Sequence, residues 1–367
     1  MRPINITIIA LIATGTLLYV GCATKNTSAQ TATTASDTPC MNVLDRFTAP
    51  DVPAVGPNEI PQHMGKWTNG VTPPNLPGNG LAQHPMLYIG EGYNTIYLIN
   101  KGKVIWTYST GPGNELDDVW MLSNGNILFT RMQYVAEITP EKKEIWRYTC
   151  PTNNQIHCCQ PIGTDKVLLI ENALPPHLKV INIKTGDVEV DHVVPCRSMT
   201  DEKTVHPQYR RVRMTADGHY LVPCLGLGTN GVVIEYDKDF NEVWSYKIRS
   251  PWAAIRLKNG NTLITDEGDK LTREVNPQGE TVWEYSITNM PPEYAMHVAP
   301  QSCTRLANGN TIFCSREKGG NGPQLVEVTP DKQIVWVLQD WKDLGPATAV
   351  QVLDDPGIPE DPGQSEH

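Results

Sequence analysis

The sequence predicts an all-β fold, a six-bladed β-propeller of four-stranded antiparallel blades. The stretch Trp252 to Tyr285 holds four short strands of β-branched and apolar residues, separated by turns such as Asn259-Gly260-Asn261. Diluted copies of this stretch recur from His84 to Leu353, roughly 270 residues in six units of about 45 each, which is the length of a propeller blade. A spare strand near the C-terminal end predicts that the first blade is closed by the last strand.

The six units follow one another with short connections. They are predicted over 84–108, 117–148, 157–190, 211–246, 252–285 and 301–337. The first unit lacks its innermost strand, and Ala347 to Leu353 matches the first strand of the other units. Pairing of these two ends would also remove the open sheet edges that a linear array leaves exposed.

The N-terminal end has the pattern of a bacterial export signal. Arg2 is followed by a short apolar stretch that ends in Gly21-Cys22, which resembles a lipobox. We expect Cys22 to be lipidated, although an ordinary cleaved signal with an incidental Cys22 gives a similar pattern. The expected location is the outer membrane, facing the periplasm.

The chain divides into five segments by composition. We expect a signal peptide over 1–21, a flexible tether over 22–40, a proline-rich lead-in over 41–80, the β-propeller over 81–355 and a tail over 356–367. The net charge is −10, from 30 basic and 40 acidic residues, so no overall field favours nucleic acid. We expect a monomer that contacts the membrane through the lipid anchor only.

Eight cysteines follow Cys22. They stand at Cys40, Cys150, Cys158, Cys159, Cys196, Cys224, Cys303 and Cys314. No two are spaced as a CxxC pair, so no metal site is predicted. The sequence leaves their oxidation state open, because several fall inside predicted strands and also suit small buried thiols.

A tryptophan recurs in the fourth strand of five units, at positions 106, 146, 244, 283 and 336. We interpret it as core that packs one blade on the next. A turn followed by Trp in an apolar strand resembles the PQQ-like and arylsulfotransferase-like propeller families over about 270 residues. The resemblance implies a propeller fold, and it is confined to the blade.

Functional residues are sought where the first strand of each blade lines the central channel. Counting back from the end of each first strand gives Asp117, His157, Tyr209 or Arg210, Trp252, Gln301 and Thr348. A framework alone does not need such varied side chains at one repeated position. This variety predicts a binding face.

The densest local set is Val205 to Arg213. His, Tyr and Arg side chains can supply a base, an acid and clamps for a carboxylate or sulfate. The predicted catalytic residues are His206, Tyr209, Arg210 and His157. The predicted binding residues are Asp117, Asp118, Trp252, Arg256, Glu267, Gln301 and Arg316. Arg213, Arg256 and Arg305 stand at similar positions of three successive blades. We interpret them as structural tethers between blades; if they pointed into the channel instead, they would give it a positive bore.

Four functions remain open. We expect binding or processing of an acidic saccharide, uronic or sulfated, at one face of the central channel. Sulfuryl transfer through a channel histidine is the first alternative. A quinoprotein dehydrogenase is the second, with Cys158-Cys159 as a vicinal pair beside PQQ, and a non-catalytic envelope scaffold is the third. No cofactor is expected for the favoured function.

Overall fold

The computed structural model describes residues 39–47, 76–90, 94–111, 115–196, 205–226, 230–296, 300–316, 322–341, 344–355, 357–365 and 367. The predicted signal peptide, Cys22, most of the tether and most of the proline-rich lead-in lie outside these ranges. Within them, no helix has the length and apolar character needed to cross a bilayer.

The described residues form 25 strands in six antiparallel sheets, which confirms the predicted all-β propeller. Blade 1 contains β1 (Met86–Ile89), β2 (Thr95–Asn100) and β3 (Lys103–Ser109). Blade 2 contains β4 (Leu116–Met121), β5 (Ile127–Arg131), β6 (Tyr134–Ile138) and β7 (Glu144–Thr149). Blade 3 contains β8 (Gln155–Ile156), β9 (Gln160–Ile162), β10 (Lys166–Asn172), β11 (His177–Asn182) and β12 (Val188–Val193).

The remaining strands complete the ring. Blade 4 contains β13 (Arg213–Met214), β14 (Tyr220–Cys224), β15 (Val232–Tyr236) and β16 (Glu242–Lys247). Blade 5 contains β17 (Pro251–Arg256), β18 (Thr262–Asp266), β19 (Leu271–Val275) and β20 (Thr281–Ser286). Blade 6 contains β21 (Pro300–Arg305), β22 (Thr311–Ser315), β23 (Leu325–Val328) and β24 (Ile334–Leu338), and β25 (Ala349–Val352) follows.

The C-terminal strand closes the first blade, as the sequence predicts. β25 pairs antiparallel with β1, with Met86 opposite Val352 and Ile89 opposite Ala349, and the sheet runs in the order β25-β1-β2-β3. All four residues of β1 and of β25 are buried. Backbone groups that would otherwise lie at two open edges are therefore paired inside the ring.

The repeated tryptophans connect neighbouring blades. The indole nitrogens of Trp106, Trp244 and Trp283 donate to the carbonyls of Pro140, Pro277 and Pro330, at 2.9, 3.0 and 2.9 Å. Each of these prolines stands in the turn between the third and fourth strands of the following blade. The tryptophans thus connect blade to blade, as expected, but of these three only Trp106 is a fully buried core residue, and Trp244 and Trp283 are half-buried.

Two of the repeated arginines have the same connecting role. Arg256 pairs with Glu235 and covers the Trp244 ring, and Arg305 pairs with Glu274 at 2.9 Å. In both cases an arginine that ends a first strand reaches back to the preceding blade. Arg213 differs, because its side chain enters the channel.

The first strands of blades 3 and 4 are shorter than the sequence predicts. Between β8 and β9, the Cys159 nitrogen donates to Asp118 at 3.1 Å, and the Cys159 carbonyl accepts from Trp120 at 2.6 Å. Side chains of blade 2 thus take backbone bonds that a continuous strand would make. In blade 4, the Arg211 nitrogen bonds to the carbonyl of Trp252 in blade 5, at 3.1 Å. The chain therefore touches its own sheet in an isolated bridge between Tyr209 and Cys224, and joins it as a continuous strand only at Arg213.

Both flanking segments pack on the ring. A 3-10 helix over Met41–Arg46 precedes Phe47, whose ring meets Trp106 edge-on at 5.3 Å. A second 3-10 segment, Pro77–Ala82, is kinked at Gly78, Asn79 and Gly80, whose backbone is not helical. At the other end, Glu360 accepts hydrogen bonds from the Ser123 backbone and hydroxyl, at 2.6 and 2.7 Å. The tail therefore lies where first strands turn into second strands, at the end opposite to the loops that enter the first strands.

Candidate functional site

The regular hydrogen-bond pairing between the first and second strands is interrupted at one common level along the channel. Blades 2, 5 and 6 carry β-bulges there, at Asp117-Asp118, Trp252 and Gln301. The strand interruptions of blades 3 and 4, at 157–159 and 209–212, occupy the same level. A bulge turns a side chain out of its ladder and is common beside functional sites. The repeated position found by counting is thus a ring of irregular backbone around the channel.

Carboxylates and imidazoles of blades 2, 3 and 4 meet at this level. His157 Nδ1 lies 2.8 Å from Asp117 Oδ2 and 3.3 Å from Glu115 Oε2. The other carboxylate oxygen of Glu115 lies 3.5 Å from His206 Nε2. The two imidazole rings face each other edge-on at 5.3 Å, and Gln155 Oε1 reaches His157 Nε2 at 3.1 Å and His206 Nδ1 at 2.8 Å.

The two histidines differ in exposure. The His157 side chain is completely buried, while the His206 side chain is 45% exposed. Contacts on both nitrogens of His157 fix its orientation, so it can act on a ligand only through Glu115 or His206. His206 is the imidazole that a ligand can touch.

Arginine and tryptophan extend the cluster toward blades 5 and 6. Arg210 Nη2 lies 3.1 Å from His206 Nε2, and the Arg210 guanidinium lies 4.7 Å from the centre of the Trp252 ring. Arg316 lies 5.4 Å from the same ring and 3.2 Å from Glu267, and Glu267 accepts from the Trp252 indole at 2.6 Å. Trp252 therefore holds two cations near each other.

The charges of these groups follow from their surroundings. Burial opposes ionisation of Glu115, but the hydrogen bond and charge of His157 hold its pKa at about 2. Burial and then the charge of Glu115 raise the pKa of Asp117. Partial burial and then the charge of Arg210 lower the pKa of His206 to about 4. At neutral pH the site thus holds a carboxylate, a neutral imidazole and a guanidinium within contact distance.

A cleft of about 700 Å³ opens beside His206. Its lining includes Gln133, Thr152, Asn153, Asn154 and Gln155. Amide and hydroxyl groups therefore dominate its polar wall, and these groups both donate and accept hydrogen bonds. Such a wall suits a ligand with many hydroxyl groups.

Glu115, His157 and His206 also offer ligand atoms within 4.8 Å of one another to a metal ion. Two imidazoles and a carboxylate are a common donor set for divalent transition metals. Against a cation stands the Arg210 guanidinium, which lies 3.1 Å from His206 Nε2 and brings a positive charge to the same point. The arrangement therefore favours an anion over a metal ion.

The structure brings seven of the predicted residues together. They are Asp117, His157, His206, Arg210, Trp252, Glu267 and Arg316, all within the contacts given above. Four others lie apart. The Tyr209 ring is buried in the core, with its hydroxyl donating to the Val194 carbonyl at 3.2 Å, and Arg256 bonds to the Gly260 carbonyl near the opposite end of its strand. Neither of these two side chains reaches His206.

The other two predicted residues lie inside the channel. Asp118 has a completely buried side chain that binds Arg211 and Arg213. Gln301 is 1% exposed, and neither atom of its amide has a hydrogen-bond partner among the described residues. A buried amide without partners is costly, so Gln301 marks a place that water or a ligand atom can occupy.

Sequence counting missed Glu115 and Gln155. Each stands two residues before a predicted residue, Asp117 and His157, and side chains two apart on an extended chain point to the same side. A search at that spacing would have found both.

The fold and the site define a six-bladed propeller with a polar, partly cationic cluster at one channel mouth. The chain matches no protein-family model and no curated protein. A protein of unknown function from Bacteroides caccae is similar in structure, with a TM-score of 0.63 and 23% identity, over 73% of this chain and 97% of that chain.

Two lyase structures share the fold. The streptogramin B lyase structure has a TM-score of 0.50 and 11% identity, over 76% of this chain and 89% of that chain. A catalytically inactive virginiamycin B lyase from Staphylococcus aureus with quinupristin also has a TM-score of 0.50, with 13% identity, over 79% of this chain and 96% of that chain. At these identities the likeness concerns the fold alone.

Proposed function

We propose that this protein binds an acidic saccharide at the channel mouth and that His206 accepts a proton from it. The observation that carries the proposal is the setting of His206. Its Nδ1 faces the Gln155 oxygen and its Nε2 faces an arginine donor, so the proton is on Nδ1 and the lone pair is on Nε2. This imidazole is exposed beside a cleft with a polar wall.

Arg210 and Arg316 can bind the acid group of the ligand. Arginine binds carboxylates through paired hydrogen bonds. An entering carboxylate competes with Glu267 for Arg316 and draws the Arg210 guanidinium away from His206. The lone pair on His206 Nε2 then becomes available next to the bound acid.

The reaction that fits this arrangement is β-elimination from a uronic acid residue. His206 takes the proton from the carbon that bears the carboxylate, and the freed electron pair forms a double bond while the glycosidic oxygen leaves from the next carbon. That oxygen takes a proton from water. A positioned base contributes about 10² to 10⁴ in rate. Glu115 and His157 are positioning residues in this scheme, because the first bonds to the second and stands beside His206.

The test uses oligouronates against neutral glucans of equal length. We expect calorimetric binding of the uronates only, and a product with the absorbance of an unsaturated uronate. His206→Gln should retain binding and lose at least about 100-fold in turnover. Arg316→Ala should weaken binding about tenfold. His177→Gln is the control, because His177 lies on β11 and pairs with Asp191. Equal binding of the neutral glucan would refute the proposal.

The other functions remain predictions from the sequence. Sulfated oligosaccharides, aryl sulfates, and PQQ with calcium therefore form separate arms of the same binding experiment. Calorimetric binding of aryl sulfate alone would favour sulfuryl transfer. If none of these ligands binds, the non-catalytic envelope scaffold would be favoured.

We also propose that the chain is exported and anchored through a lipid on Cys22. The support is the N-terminal sequence, with its apolar stretch before Gly21-Cys22. Metabolic labelling with a fatty acid should label the wild type and leave Cys22→Ser unlabelled. Equal labelling of both would contradict the anchor.

A further inference from the structure

Two buried cysteines lie in contact beside the site. The sulfur atoms of Cys196 and Cys224 are 2.6 Å apart, closer than two unbonded sulfurs pack, and the residues are 7% and 1% exposed. Cys224 ends β14, and Cys196 follows β12 in the preceding blade. Both belong to the apolar cluster that includes Tyr209.

We propose that Cys196 and Cys224 form a disulfide that closes the stretch of chain carrying His206 and Arg210. The reaction removes two protons and two electrons from the thiols. They pass to a disulfide-bonded exchange partner, which is reduced to its two thiols. A disulfide holds its sulfurs at about 2.05 Å, so a small approach of the two side chains forms the bond.

Other described cysteines have different surroundings. The Cys150 thiol donates to the carbonyls of Gln133 and Asn154, both at 3.3 Å, and the Cys40 thiol donates to the Met121 carbonyl at 3.5 Å. The peptide nitrogen that joins Cys158 to Cys159 is bonded to Asp118 at 3.1 Å, which holds that peptide in place. Among the described residues, Cys196 and Cys224 are a pair whose sulfur atoms lie in contact.

The disulfide would fix the backbone on which the site is built. Tyr209 pairs with Cys224 in an isolated bridge, and the Leu225 nitrogen donates to the Gln208 carbonyl at 3.0 Å. The Gln208 amide in turn bonds both backbone groups of Ala173, at 3.0 and 2.9 Å. Cys196 adds a covalent link to this set of bonds. Segment 205–210 is then held by blades 3 and 4 together.

Peptide mapping tests the bond directly. The full chain is folded in an oxidised glutathione buffer, its remaining thiols are alkylated in denaturant without reductant, and it is then digested. We expect one linked pair of peptides containing Cys196 and Cys224, and two more reactive thiols after reduction. The control Cys150→Ser should show the same linked pair. Alkylation of both Cys196 and Cys224 before reduction would overturn the proposal.

A second measurement tests the positioning of the site. The double variant Cys196→Ala with Cys224→Ala should exchange the amide hydrogens of 205–210 at least about tenfold faster than Cys150→Ser. Reductant should lower the melting temperature of the wild type and leave that of the double variant unchanged. An equal effect of reductant on both would refute the bond, whatever the function of the site. Should the double variant not fold, the mapping of the wild type decides alone.

Discussion

Arg213 donates two hydrogen bonds to Asp118, at 2.9 and 3.1 Å, inside the central channel. Asp118 also binds Arg211 at 3.0 Å, and its side chain is completely buried. Burial opposes ionisation of Asp118, but the charges of Arg213 and Arg211 lower its pKa below the usual range. The single negative charge of Asp118 thus compensates part of the positive charge of the two buried arginines, Arg211 and Arg213.

Replacement of this carboxylate should destabilise the propeller strongly. Asp118→Asn keeps the side-chain size but leaves Arg211 and Arg213 without their counter-charge. We expect a loss of about 3 kcal/mol or more in the free energy of unfolding. Urea denaturation measures it, with Asp217→Asn in an exposed turn as the control. A loss below about 1 kcal/mol would show that the channel arginines are compensated elsewhere.

The stability should depend on pH through His84. Burial disfavours its charged form, but hydrogen bonds and charges of Asp354 and Glu327 raise the pKa of His84 to about 9. Since the folded pKa lies above the unfolded value, about 6.5, the stabilisation is complete below pH 6.5 and is lost as the pH rises through 9.

The variant His84→Gln isolates this contribution. The difference in unfolding free energy between wild type and variant should shrink by about 3 kcal/mol between pH 6 and pH 10. Urea denaturation at several pH values measures the difference. A pH-independent difference would mean that folding leaves the pKa of His84 at its unfolded value.

The tryptophan bonds between blades should each contribute a modest amount. Trp283→Phe keeps an aromatic ring but removes the donor to the Pro330 carbonyl, so we expect a loss of about 1 kcal/mol. Trp146→Phe is a matched control, because no hydrogen bond from the Trp146 indole is found within the described part of the chain. Equal losses in the two variants, measured by urea denaturation, would assign the effect to packing instead.

The positive charge of Arg210 should decide whether the site binds a metal ion. With Arg210→Gln, the positive charge beside His206 Nε2 disappears, and Glu115, His157 and His206 offer their donors unopposed. We expect cobalt(II) to bind this variant, with the absorption of a low-coordinate site, and to leave the wild type and Arg316→Gln unaffected. Tight cobalt binding by the wild type would show that the guanidinium moves aside.

Local sequence patterns predict the blades well because each blade depends on local rules. The turn Asn259-Gly260-Asn261 works because Gly260 adopts a φ of +86° and both asparagines bond to Glu274 in the third strand. These turn contacts recur with the sequence repeat, so the period of the repeat predicts the fold. The circular closure follows from the same count of strands.

The site is predicted only in part, because it depends on departures from the repeat. Counting along the first strands identifies Asp117, His157 and Trp252, where the backbone bulges. It cannot show that the Tyr209 ring turns into the core while Arg210 turns toward His206, since that choice depends on how the chain pairs with β17 of the next blade. Arg256 is the opposite case, a repeated residue that pairs with Glu235 of the preceding blade and so connects the blades.

The pairing of β25 with β1 also sets the order in which the molecule can be completed. β1, β2 and β3 are made first, yet their sheet lacks its inner strand until residues 349–352 have been synthesised. An unpaired β1 is an open edge during that time. The ring can therefore close only after residues 349–352 have been synthesised. A chain that ends before residue 349 leaves the sheet of β1, β2 and β3 without its inner strand, beside the five other sheets.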